Sequence, residues 1–359
     1  MKNLQNIILA IILIAGALMF ATCARDKAEP AAGQPAAQAA AQESKAPPAA
    51  KLSAASAPAA AVKPSAANVT ENPPTASAEV LPSSAPPGVK ITLAPKSIER
   101  GSPCLFTITT AETLSSLTGS LMGKKVLFSS DQSRKTWYGL AGIGLESPLG
   151  SQTITLKGSD TSGRAVTFNA QFDIEARKAN IRVPPEFTDP DDEERARIAR
   201  EAILKRDVFR TLSPDALWNG SFLRPVDSNI RLTAVFAGTR RFNSGPVKTH
   251  RGADFGAPQG TMIKAINSGR VILAKNMFYD GNMVTIDHGQ GMLSLYLHLS
   301  KFNVKEGDMV SPGQPIGLSG STGRSSGPHL HLQVKWEGTD IDPLELMTLK
   351  LPSNLAKSN

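Results

Sequence analysis

All five histidines of the 359-residue chain, His250, His288, His298, His329 and His331, fall in its last third. Imidazole binds metals readily and titrates near neutrality, so this crowding concentrates one kind of chemistry at one end. His250-Arg251-Gly252-Ala253-Asp254 sets a nitrogen and a carboxylate four positions apart. On an extended strand, positions i, i+2 and i+4 share a face. His250 and Asp254 are therefore expected to point the same way, with Gly252 leaving room between them for an ion. His329, His331 and Gln333 share one face of a second strand, and Leu330, Leu332, Val334 and Trp336 the other. Two imidazoles on a polar face can be simple solvated surface. With a second His/Asp pair available they point to a metal site, and nitrogen ligands plus one carboxylate suit zinc best. On a third strand Leu293, Leu295, Leu297 and Leu299 alternate with Ser294, Tyr296, His298 and Ser300. That pattern is expected to turn Tyr296 and His298 away from the core, toward the polar surface that carries the ligands. His288 keeps the register of Val284 and Ile286 and precedes Gly289, so a structural role is expected for it.

The elements that must position these residues are mainly β. From 88 to 176, alternating runs such as Val89/Ile91/Leu93, Cys104/Phe106/Ile108 and Phe168/Ala170/Phe172/Ile174 are separated by turn signals, including Met122-Gly123-Lys124 and Thr161-Ser162-Gly163. Several short alternating strands over this length predict a small immunoglobulin-like β-sandwich. It holds no cluster of titratable groups, and Cys104, in register with Phe106 and Ile108, is expected to be a buried thiol. Residues 177–212 form a connecting segment with a charged helix. Thr188 or Asp189 is its expected N-cap, Pro190 lies in its first turn, Asp191 to Glu194 suit the helix dipole, and its end falls near Thr211. The helix either joins two domains or covers part of the active groove. Residues 213–350 make the last domain, an antiparallel β-sheet carrying every candidate ligand.

The ordered motifs have a family likeness. "HRGADFGAPQGT", then Tyr296-Leu297-His298-Leu299, then "SGSTGRSSGPHLHLQV" resemble the lysostaphin/LytM-type zinc endopeptidases across roughly 230–343. The glycine-punctuated "VKEGDMVSPGQPIG" is similar to the turn-rich hairpins of that family's sheet. The resemblance implies one Zn2+ per chain held by His250, Asp254 and His331, with His298 and His329 as the unliganded catalytic pair. Spacing alone does not distinguish His329 from His331. The implied activity is hydrolysis of peptide cross-links or stem peptides of bacterial peptidoglycan. No H-E-x-x-H helix supplies a glutamate base. Val235-Phe236-Ala237 stands where relatives often carry Ser-Phe-Gly; lying upstream of the site, it is expected to have little consequence. Two rival readings accompany this one: a catalytically silent LytM-like module that activates a separate wall amidase, and a peptidase acting on proteins.

Composition and the N-terminus bound the setting. Lys and Arg outnumber Asp and Glu by 39 to 31, for a formal charge of +8. That balance suits polyanionic surroundings, but no basic run interleaved with aromatics points to nucleic acid. Two cysteines, Cys23 and Cys104, make no disulfide framework. Residues 1–23 read as a secretory signal, with Lys2 before an apolar run from Ile7 to Phe20. Phe20-Ala21-Thr22-Cys23 resembles a bacterial lipobox, though Phe20 and Thr22 depart from the usual Leu and Gly or Ala. Lipidation of Cys23 is the expectation, with ordinary cleavage near Ala24 or an uncleaved anchor as alternatives. Residues 24–87, rich in Ala, Pro, Ser and Gln, cannot bury enough apolar surface to order themselves. They read as a flexible tether reaching on the order of 40–50 Å. The chain is thus expected in the cell envelope, anchored at its N-terminus to membrane and facing periplasm or wall.

Overall fold

Strands bury one face by alternation, and the faces that remain must find another partner. In this computed structural model, residues 76–355 are described apart from 81, 84, 86, 179–180, 183–188, 211 and 242–246. The signal, Cys23 and most of the expected tether lie outside the described residues. Order begins earlier than the composition suggested: Ala78–Val80 pairs antiparallel with Ile91–Leu93, and Pro82–Ser83 with Asn169–Ala170.

The first β unit is one continuous path of antiparallel pairings. Lys124–Ser130 bridges its halves, pairing with Leu114–Leu121 through one stretch and with Thr136–Gly142 through the other. Ile91, Phe106, Ile108, Val126, Ile154, Leu156 and Phe168 fill its interior. Cys104 is buried as its register implied, and burial raises its thiol pKa far above the ordinary value.

The second unit is an antiparallel sheet whose order runs Leu232–Ala234, Ala253–Phe255, Leu330–Trp336, Met292–Leu299, Gly281–Asp287, Gly269–Met277, Met309–Val310. Thr339–Ile341 adds to Leu330–Trp336. Leu330–Trp336 alternates as its sequence demanded, with Leu330, Leu332, Val334 and Trp336 fully buried and the residues between them half-buried.

Met292–Leu299 departs from expectation because both of its faces are buried. Tyr296 is fully buried in the main core, its hydroxyl accepting from the Ile266 N–H at 2.8 Å and lying 3.1 Å from Ser294 Oγ. Leu293, Leu295 and Leu297 form a separate cluster with Leu273, Met277 and Met283, roofed by Leu204, Phe209 and Leu212. The leucine stripe therefore shares the face of His331 and Gln333, and Tyr296 does not lie on the polar surface.

The roof belongs to the helix Asp192–Val208 and the residues after it. Its N-cap is Asp191, which with Glu194 makes a reciprocal capping box. Pro190 therefore precedes the helix instead of opening it, and the helix ends at Val208, short of Thr211. No helix residue is fully buried; polar contacts hold it, with Arg197 on Asn276, Glu201 on the Phe278 N–H, and Lys205 on Asp280 at 2.6 Å.

The two β units abut directly. A Cβ on Gly142 would collide with Ile341 and Trp336, the Asp342 N–H donates to the Gly101 carbonyl at 2.8 Å, and Gln290 Nε2 donates to Ser129 Oγ at 2.9 Å.

Candidate functional site

His250 Nε2, Asp254 Oδ1 and His331 Nδ1 converge on one point. The separations are 3.0 Å from His250 to Asp254, 3.0 Å from His250 to His331 and 2.7 Å from His331 to Asp254. Tetrahedral zinc with bonds near 2.0–2.1 Å would hold such atoms roughly 3.3 Å apart, so these three groups fit the ion with little movement. Among the described residues they form the only set of three metal-ligating side chains.

Asp254 and His331 meet because Ala253–Phe255 pairs with Leu330–Leu332, placing them directly opposite one another. His250 arrives differently. The strand begins only at Ala253, so no shared strand face aims His250 and Asp254 together. Instead, His250 Nδ1–H donates to the Val235 carbonyl at 2.8 Å, leaving Nε2 as the lone-pair nitrogen at the centre. Its backbone is held as well, by Ala237 and Gly238. The departure at Val235-Phe236-Ala237 is thus distant in sequence only. Gly252 also has a different purpose from the one expected: a Cβ there would lie 2.7 Å from His331 Nε2 and strike the Leu332 carbonyl, so its bareness admits the His331 ring and not an ion.

The charges agree with this geometry. Burial opposes ionisation of Asp254, but the adjoining His250 and His331 rings outweigh it and hold the carboxyl well below its usual range. Burial lowers the His331 pKa, offset in part by Asp254.

His298 and His329 stand beside the triad. Their rings are 4.8 Å apart, and the His298 ring lies 6.3 Å from that of His331. Strict alternation would send His298 into the core with Tyr296. It adopts φ of +64°, rare for a residue with a side chain, and this turn brings the ring back to the ligand face. Its Nδ1–H donates to the Thr322 carbonyl at 2.8 Å, and His329 Nδ1–H to the Gly327 carbonyl at 2.8 Å. Both rings are thereby fixed as tautomers with a free lone pair on Nε2. Burial, then repulsion from His329, pushes His298 down to about 4, so the ring is neutral and able to accept a proton.

His288 lies apart, fully buried, between the Ser268 carbonyl at 2.7 Å and Ser294 Oγ at 2.7 Å. The carbonyls of Val235, Thr322 and Gly327 carry no side-chain signal, and sequence reasoning did not find them.

Residues 248–343 match the model for Peptidase family M23. A stretch of 123 residues is 43% identical to peptidoglycan DD-endopeptidase ShyA of Vibrio cholerae serotype O1, covering 34% of this chain and 28% of that protein. DD-carboxypeptidase/endopeptidase Mpg of Neisseria meningitidis serogroup B is 41% identical over 99 residues, which is 28% of this chain and 23% of Mpg. The chain thus spans less than a third of the length of either curated relative. Among solved structures, one assigned to peptidase M23 from Pseudomonas aeruginosa superposes with a TM-score of 0.53 at 29% identity, covering 69% of this chain and 96% of its own. That likeness extends well beyond the family match. The β-rich region that holds these five residues is the part that matches the M23 peptidase family model.

Proposed function

We propose that this protein is a zinc metalloendopeptidase that hydrolyses peptide cross-links or stem peptides of bacterial peptidoglycan. The observation that carries this reading is the convergence of His250 Nε2, Asp254 Oδ1 and His331 Nδ1 beside two further imidazoles fixed as bases. The likeness to peptidoglycan DD-endopeptidase ShyA supports the substrate class, and that to DD-carboxypeptidase/endopeptidase Mpg the peptidase activity.

His250, Asp254 and His331 would hold one Zn2+, with two neutral nitrogens and one carboxylate leaving it net positive. When bound, zinc supplies a Lewis acid for the peptide carbonyl and lowers the pKa of a water toward about 7. His298, neutral and braced by Thr322, accepts the proton of the attacking water at Nε2. The proton then passes from His298 Nε2 to the leaving amine, and His329, braced by Gly327, offers a second Nε2 lone pair to the same proton. We read the upstream β unit as immunoglobulin-like, and residues 1–23 as an export signal whose Cys23 anchors the enzyme to membrane in the cell envelope.

The test is digestion of purified peptidoglycan by the full chain with zinc, after chelation, and with zinc restored. Peptide-bond products that vanish on chelation and return with zinc support the reading. A zinc-loaded protein that leaves every wall preparation intact overturns it.

A further inference from the structure

The ligand face does not end at the metal ligands. Along Leu330–Trp336 it continues from His331 to Gln333 and Lys335, roughly 7 and 14 Å further on at strand spacing. That is the reach of about two to four extended peptide residues beyond a bond held at the centre. Opposite Lys335 lies Asp340, whose side chain is 4% exposed. It accepts from Gln333 Nε2 at 2.6 Å, from Lys335 Nζ, and from Arg251 Nη1 at 2.8 Å.

Two cations and one anion leave this cluster one positive charge in excess. Lys335 is largely covered at 17% exposure, whereas Arg251 is 58% exposed, so the excess is presented by Arg251. Neutralising the buried Asp340 does not require Arg251, because Lys335 already bonds its other oxygen. A guanidinium carries five donors in a rigid fork that matches a carboxylate. Asp340 engages Nη1 and sets the plane of that fork. Arg251 is also the residue directly after the candidate ligand His250.

Resting on the proposed peptidase function, we propose that Arg251, oriented by Asp340, is a specificity residue that binds a free carboxylate of the substrate peptide within about four residues of the scissile bond. Binding here selects acidic peptides and adds nothing to the chemical step.

The experiment uses the full-length, zinc-loaded protein and two synthetic cross-linked peptides that differ only in a free carboxylate or a carboxamide two to four residues from the scissile bond. Wild type is expected to prefer the acid by on the order of tenfold in kcat/KM. Arg251→Gln should erase that preference through KM, with kcat, zinc per chain and the unfolding midpoint close to wild type. Arg251→Lys, which keeps the charge without the fork, should restore part of it, and Lys90→Gln, remote on the first β unit, should leave it intact. No preference in wild type, a preference that survives Arg251→Gln, or equal losses on both peptides with loss of zinc would each overturn the proposal. In those cases digestion of wall by wild type keeps the peptidase reading standing. A wild type that cleaves neither peptide nor wall removes both.

Discussion

Ala237 and His250 are locked together through their backbones: the Ala237 N–H donates to the His250 carbonyl at 2.9 Å, and the His250 N–H to the adjacent Gly238 carbonyl at 2.6 Å. Ala237 makes this contact at φ of +62°, where a Cβ costs about 1–2 kcal/mol. Glycine would remove that strain but lose more freedom on folding, by roughly 0.5–1 kcal/mol. Ala237→Gly should therefore stabilise the protein by about 0.5–1 kcal/mol in denaturant unfolding, with zinc retained. Ala237→Val should destabilise it and weaken zinc binding, since a branched side chain resists this conformation further. Equal stability of all three would mean that the strain is not present.

On the proposed function, the site divides into residues that would hold metal and residues that would move protons. His331→Ala removes a candidate ligand and should abolish both zinc binding and turnover. His298→Ala should keep about one zinc per chain while turnover falls on the order of 10²–10⁴-fold. His329→Ala should resemble His298→Ala. Metal analysis and wall-digestion rates on the purified variants decide this; zinc lost from His298→Ala but kept by His331→Ala would reverse the assignment.

How much of this was legible depended on what each strand packs against. Leu330–Trp336 has one face in the core and one toward the site, so simple alternation placed His329, His331 and Gln333 together correctly. Met292–Leu299 is covered on both faces, one cover being a helix some ninety residues upstream, which no local pattern reveals. Its leucines marked a buried stripe, but the stripe of the wrong core. His298 reaches the ligand face through a positive φ, a backbone feature without a residue-type signal here. The supporting carbonyls were hidden for the same reason.

His288 makes a pH prediction. Burial lowers its pKa from an ordinary 6.5 to about 4, only partly offset by the Ser268 carbonyl. The unfolded chain binds this proton near pH 6.5, and the folded protein resists it until about 4. Stability is therefore fully present above 6.5 and declines as pH falls toward 4. Between pH 7.5 and 5 the loss from this group should be about 2 kcal/mol. Unfolding of metal-free protein at the two pH values, compared with His288→Gln, isolates it: the variant should show a shallower fall, and an identical fall would remove His288 as the cause.

The helix Asp192–Val208 matters to any attempt at a minimal enzyme. All candidate ligands and bases lie after residue 213, which by itself suggests that a fragment starting there is an active unit. Yet Leu293, Leu295 and Leu297, on the same face as His331, are roofed by Leu204, Phe209 and Leu212. Lys205 also holds Asp280, whose carbonyl accepts the His298 N–H at 2.9 Å. Cutting at 213 removes Leu204, Phe209 and Lys205 together. Partial exposure of three leucines should cost a few kcal/mol, given about 1.5–3 kcal/mol for each full burial, and should loosen the turn that presents His298. A fragment beginning at 189 keeps these contacts. Both fragments lose the first β unit equally, so the comparison reports on the helix and the short segment after it. The longer fragment should unfold at higher denaturant and digest wall faster, with similar zinc content in both. Equal stability and equal rates would show that the helix only connects the two units and leaves the site to support itself.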